Sequence, residues 1–248
     1  MSSFPWINAE ILKGLETEGL ITRTFSRLDE GRRDEVLSAI FEEATKSGPD
    51  RIAIKDVAVR AAVPVGSLYQ YFGNREKLAR CATLLVARRL VAELEKWTPY
   101  LAQMPLREAL SAYLKTGLAW SREEAAVFRS FVATAYGSAQ RGSVFAFEES
   151  QAKDEGEWTM RELVEPVAAA IQGMVRAIIG GAAARGELAP GVAPEEAARL
   201  AGALLIAVGD ASLMPGLAAY YRLFDEAHGP EPMIDAAVDF ICRSVMAR

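Results

Sequence analysis

Apolar residues recur every three to four positions along most of this chain, and no stretch shows the strict alternation of a half-buried strand. The spacing predicts a helix over about 8–18, with Asn8 as its cap and Gly19 as its stop. A second runs from about Glu30 to Lys46, with Val36, Leu37, Ile40, Phe41 and Ala44 on one face, Asp29 as cap and Gly48-Pro49-Asp50 as terminator. A longer helix starts near position 75 and reaches about Trp97, with Leu78, Ala82, Leu85, Val86 and Leu90 on its buried stripe. Pro99 and Pro105 bracket the break that follows it, and further helices are expected at about 106–121, 123–137, 158–185, 194–213 and 232–247. The fold class is all-α.

Between the first helices lies the most informative stretch, Arg51 to Lys77. Val57, Ala58 and Ala61 mark a short amphipathic helix, which Pro64 ends by disfavouring helical geometry at Val63. Leu68, Tyr71 and Phe72 give the next short helix a buried side and leave Val65, Gly66, Ser67, Tyr69 and Gln70 for the other. Small and hydrogen-bonding residues on the outer, N-terminal half of such a helix suit the DNA major groove. The segment reads as a helix-turn-helix.

Charge sharpens that reading. Over residues 51–80 there are six cations (Arg51, Lys55, Arg60, Arg75, Lys77, Arg80) against two anions (Asp56, Glu76), a net of +4 inside a chain whose net charge is −5. A basic patch on one small domain can dock on phosphate although the whole protein is acidic. Cys81 and Cys242 lie far apart in apolar contexts, which is neither a disulfide framework nor a metal-ligand spacing and fits a reducing cytoplasm. The single histidine, His228, sits in a Gly/Pro-rich loop, which argues against a His-based metal or triad site. With one histidine, scattered carboxylates and no catalytic spacing the chain does not read as an enzyme, and no metal or cofactor is expected. The first residues lack the pattern of a signal peptide, and the longest uncharged run, Ala61–Asn74, is 14 residues and too short to cross a bilayer. A soluble protein with no membrane partner is expected.

In its motif residues the segment resembles the DNA-binding region of the TetR family of bacterial transcriptional regulators (TetR/AcrR-like). The family pattern of Ala-Gly-Val-Ser, Gly-Thr-Leu-Tyr, an aromatic pair and Ser-Lys-Glu is matched here by Ala61-Ala62-Val63-Pro64, Gly66-Ser67-Leu68-Tyr69, Tyr71-Phe72 and Asn74-Arg75-Glu76. The motif covers roughly a fifth of the chain. Three departures stand out. Ala62 replaces the usual Gly, at about 1–2 kcal/mol if left-handed geometry is kept. Pro64 replaces a Ser that could cap the recognition helix, and Ala53 replaces a Thr that often bonds a phosphate.

The resemblance implies an N-terminal three-helix DNA-binding domain at 26–77, preceded by an extension at 1–25, and a larger helical domain at 78–248 for effector binding and dimerisation. It matches Tyr69 with the family's backbone-contacting tyrosine and Arg75 with its lysine opening the next helix, with Tyr71 and Lys77 as further phosphate contacts. Lys55 aligns with a position that contacts guanine in some relatives, and a phosphate contact is its equal alternative. Gln70 can bond adenine in bidentate fashion, Ser67 either kind of base, and Val65 a thymine methyl, while the first turn at Gly66 offers backbone N–H groups to a phosphate.

One such unit touches too few bases, so a homodimer on a roughly palindromic double-stranded operator is expected. Residues 197–209, apolar nearly all round, and the last helix, with Ile234, Ala237, Val238, Ile241 and Val245 on a stripe, are the expected dimer surface. By resemblance the larger domain houses a small effector. Tyr113, Trp120, Phe128, Phe131, Tyr136 and Met174 are the lining candidates, although aromatics at helical spacing also serve as plain core. The expected function is a ligand-responsive repressor released from its operator by a hydrophobic or aromatic effector. The alternative is a helical protein-interaction module whose helix-turn-helix no longer binds DNA.

Overall fold

Among the described residues every regular element is helical, apart from one isolated bridge pairing Leu188 with Met246. The computed structural model describes residue 7, residues 9–123, positions 125, 128, 129, 131 and 132, and residues 160–222 and 231–247. Tyr136 and His228 therefore lie outside the described residues, as does most of the helix expected at 123–137. The chain divides into two compact units, one of Met1–Leu90 with Glu124–Val164, the other of Val91–Glu123 with Glu165–Arg248.

In the first unit α1 (Ala9–Thr17) ends where Gly19 takes φ of 68°, a left-handed stop that lets the Leu20 N–H reach Leu15 O at 2.9 Å. A short α2 (Arg23–Ser26), not anticipated from the spacing, follows. Asp29 caps α3 (Glu30–Ser47) by accepting the Arg32 N–H at 2.9 Å, and Gly48, at φ of 89°, ends it. A single 3-10 turn (Pro49–Arg51) leads to α4 (Ile54–Arg60), α5 (Val65–Phe72) and the first part of α6 (Arg75–Gln103). Phe25, Val36, Leu37, Ile40, Ile52, Val57, Leu68, Phe72, Leu78 and Leu85 are each 1% exposed or less. At about 1.5–3 kcal/mol for each fully buried large side chain, this shared core fixes α4 and α5 far more firmly than their lengths alone would.

The long helix α6 does not stop at Trp97. It continues to Gln103 with Pro99 inside it. A proline there removes one backbone hydrogen bond at a cost of about 3 kcal/mol. Pro99 is exposed, while Leu94 and Leu101 pack against the core of the second unit and hold the helix past it.

The second unit contains α7 (Leu106–Glu123), α8 (Glu165–Ala184), α9 (Pro194–Leu213), the unanticipated α10 (Pro215–Tyr221) and α11 (Glu231–Val245). A π-helical turn (Met160–Val164) precedes α8. Arg107 pairs with Asp239, Lys115 with Asp235 at 2.9 Å and Arg122 with Glu231 at 2.9 Å. Partners descend along α11 as they ascend along α7, so the two helices are antiparallel. At the α6–α7 junction Arg185 donates to Ala102 O at 2.8 Å and Met104 O at 2.5 Å, and Glu187 accepts the Leu106 N–H at 2.8 Å and Arg185 Nε at 2.5 Å. Partial burial opposes the charge on Glu187, but Arg185 and the Leu106 N–H outweigh it and hold the carboxyl below its usual range.

The apolar stripe of α11 is core of the chain itself: Ile234, Ala237, Val238, Ile241 and Val245 are all buried, as are Ala198, Ala201, Leu205 and Val208 of α9. Periodicity shows that a face is buried but not against what. The large apolar side chains that these helices turn outward are Leu200, 74% exposed, and Phe240, 66% exposed. Among the described residues one stretch, Arg161–Ala184, is long and apolar enough to cross a membrane by length and composition. Here its Val167, Met174, Val175, Ile178, Ile179 and Ala182 are buried within the protein.

Candidate nucleic-acid interface

The turn between α4 and α5 is built by Ala62. Its φ is 49°, so the left-handed geometry that the family pattern gives to glycine is kept by an alanine. The Val63 N–H reaches Ala58 O at 3.0 Å, and Arg32 from α3 donates to Ala62 O at 2.9 Å, holding the strained residue from outside the motif. Pro64 occupies the N-cap of α5 without a side-chain cap, and Ala53 does the same for α4. The first turn of α5 therefore offers N–H groups that no side chain of its own satisfies.

From that turn the outward set follows by helix geometry. Leu68 and Phe72 are buried, while Val65, Gly66, Tyr69 and Gln70 are exposed and Ser67 is half-exposed. Tyr69 is 49% exposed. A Cβ added at Gly66 would meet nothing within 4 Å, so no internal packing demands glycine there. Lys55 on α4 is exposed as well. Tyr71 departs from the expected contact set: it is 9% exposed and its ring lies 5.7 Å from that of Phe25, so its main service is to the core.

The basic residues divide between outward and inward duties. Arg75 is exposed, yet its Nε donates to Ile52 O at 3.2 Å, tying the start of α6 to the segment before α4. Lys77 is exposed, its N–H is accepted by Asn74 Oδ1 at 2.8 Å, and its side chain passes Gly73 and Gly19. Arg60 is committed to α3, at 3.1 Å from Glu42 and 3.4 Å from the buried Glu43. Glu43 also accepts from Ser47 at 2.8 Å. Spacing could not show the ties of Arg75 to Ile52, of Arg60 to α3 or of Arg32 to Ala62, because in each the partner lies far away in sequence.

Of the expected effector residues, Met174 is 2% exposed in the core of the second unit. Tyr113 packs against that core, where burial and then Asp210 push its phenol up. Trp120, Phe128 and Phe131 are half-buried. The cleft at α3, about 400 Å³ and lined by Asp34, Glu35, Ser38, Glu42 and Arg60, contains none of them. Burial and then Glu18 push the Cys81 thiol up to about 12, which leaves it unreactive. Among the described residues no cluster of His, Cys, Asp or Glu could hold a metal ion.

Comparison with known proteins bears on the segment's family resemblance and on the fold. Residues 36–81 match the family model described as bacterial regulatory proteins, tetR family. A protein of Mesorhizobium loti assigned to the TetR family of transcriptional regulators is similar in structure, with a TM-score of 0.55 and 18% identity over 88% of this chain and 98% of that one. A transcriptional regulator of Cytophaga hutchinsonii gives 0.57 and 16% identity over 88% and 100% of the two chains. Reduced NemR of E. coli gives 0.51 and 17% identity over 88% and 97%. No curated protein matches in sequence. The resemblance carried by the motif residues thus extends to the fold, which is that of TetR-family transcriptional regulators.

Proposed function

We propose that this chain is a TetR-family repressor that binds a roughly palindromic operator as a homodimer and leaves it when a small apolar or aromatic effector binds the second unit. The observation that carries the reading is the outward row of Val65, Gly66, Tyr69 and Gln70, on a helix whose opposite face is core and whose first turn has no side-chain cap. Open space at Gly66 supports close approach of an external backbone. In this reading Tyr69, Arg75 and Lys77 hold phosphates, while Lys55, Val65, Ser67 and Gln70 meet base edges.

Two copies are needed for enough base contacts, and the outward Leu200 and Phe240 support a partner on α9 and α11. A coupling of about 1–3 kcal/mol between effector and operator would change DNA affinity roughly 5- to 150-fold. Such a protein works in the cytoplasm.

Selection from random duplexes tests the proposal. The wild type should enrich a sequence with two related half-sites, and Gln70→Ala should relax preference at one base pair in each, by about 1–3 kcal/mol. The second reading, an interaction module that has lost DNA binding, draws on the missing hydroxyl at Ala53. Enrichment of no sequence would favour it and end the repressor proposal.

A further inference from the structure

The C-terminal end of the reading helix is closed by a residue 48 positions away in sequence. The last carbonyls of a helix have no partner within it. In α5 the first of them, Tyr69 O, receives the Gly73 N–H at 2.8 Å. Thr22 takes the next two, donating its hydroxyl to Gln70 O at 2.6 Å and its N–H to Tyr71 O at 2.8 Å.

Thr22 is itself firmly held. It stands at the N-cap of α2, whose Phe25 is fully buried with its ring 5.1 Å from Phe72. Ser26 donates to Glu16 at 2.5 Å, tying α2 to α1, and Leu12, Leu15, Leu20 and Ile21 bury the rest of the segment. The N-terminal segment and α5 belong to the same compact unit.

We propose that residues 9–26 are a working part of the reading head and that Thr22 is a positioning residue, which sets the placement of Gln70 by clasping the end of α5. The inference rests on the DNA-binding reading above. An eight-residue helix is marginal by itself; the core holds its inner face at Leu68 and Phe72, and with no side-chain cap at its start the fine placement of its outer face depends on the end that is capped. One of the two clasped carbonyls belongs to Gln70, the residue assigned to base reading. Loosening that end moves the side chain that must meet a base edge more than it moves phosphate contacts made elsewhere.

The test compares the full-length wild type, Thr22→Val and Thr22→Ser. The readouts are affinity for the selected duplex, affinity for a random duplex, and hydrogen exchange of the free protein. Thr22→Val keeps shape and N–H but loses the hydroxyl. It should bind the selected duplex about three- to tenfold more weakly, the range set by one net hydrogen bond, and the random duplex unchanged. Its Phe72 and Gly73 amides should exchange faster, while Thr22→Ser should match the wild type throughout. Equal loss on both duplexes with a lowered melting temperature would make Thr22 merely structural and overturn the inference. So would a Thr22→Val protein indistinguishable from wild type in affinity and exchange. A wild type that prefers no duplex would instead overturn the DNA-binding reading, and this inference with it.

Discussion

Ala62 carries a conformation that suits glycine, with φ of 49°. Relief of left-handed strain, partly offset by the extra freedom of glycine in the unfolded chain, predicts that Ala62→Gly stabilises the protein by about 0.5–1 kcal/mol. Thermal or denaturant unfolding checks this, and a loss of stability would mean that the Arg32 contact has already absorbed the strain. Arg75 makes a different prediction because it has two duties. Arg75→Ala should lower the salt slope of DNA binding by about one and cost about 0.5–1.5 kcal/mol of stability through the lost bond to Ile52 O. A stability loss with an unchanged slope would leave the guanidinium as an internal tie only. The outward set was legible from sequence because it follows from helix geometry within eight residues, Val65 to Phe72. The ties through Thr22, Arg32 and Arg75 were not, since they reach across 48, 30 and 23 positions.

Helices whose boundaries rest on local chemistry were read well. Asp29 and Gly48 bound α3 as expected, and α9 spans 194–213 as the spacing predicted. At Pro99 tertiary packing overrides a local breaker, and α6 passes it because Leu94 and Leu101 are anchored, which spacing alone does not reveal. The junction after α6 depends on Glu187, whose carboxyl is held below its ordinary range in the folded state. Its stabilisation is therefore complete above the unfolded value of about 4.3 and is lost as pH falls through the folded value. Glu187→Gln should cost about 0.5–1.5 kcal/mol at neutral pH, and the gap to wild type should close as pH falls from the unfolded value through the folded one. Stability measured across that range decides the matter, and a gap that persists in acid would show that the charge is not what holds the junction.

At the scale of the whole molecule, periodicity in α9 and α11 foretold burial but not the surface that buries it. Most of those apolar residues serve the chain's own core, leaving Leu200 and Phe240 as the large apolar side chains turned outward. If two copies meet there, Leu200→Glu together with Phe240→Glu should convert a dimer to a monomer in light scattering and abolish high-affinity operator binding, with helix content retained. A variant that stays dimeric would put the contact on another face. The central claim, that a pair of α5 helices reads DNA, is tested most directly by footprinting the protein on the DNA upstream of its own gene. The account predicts one protected region in which two related half-sites are covered on the same face of the duplex, with protection lost in Gln70→Ala at concentrations where wild type saturates. Weak, uniform protection that ignores sequence and is indifferent to Gln70 would contradict it.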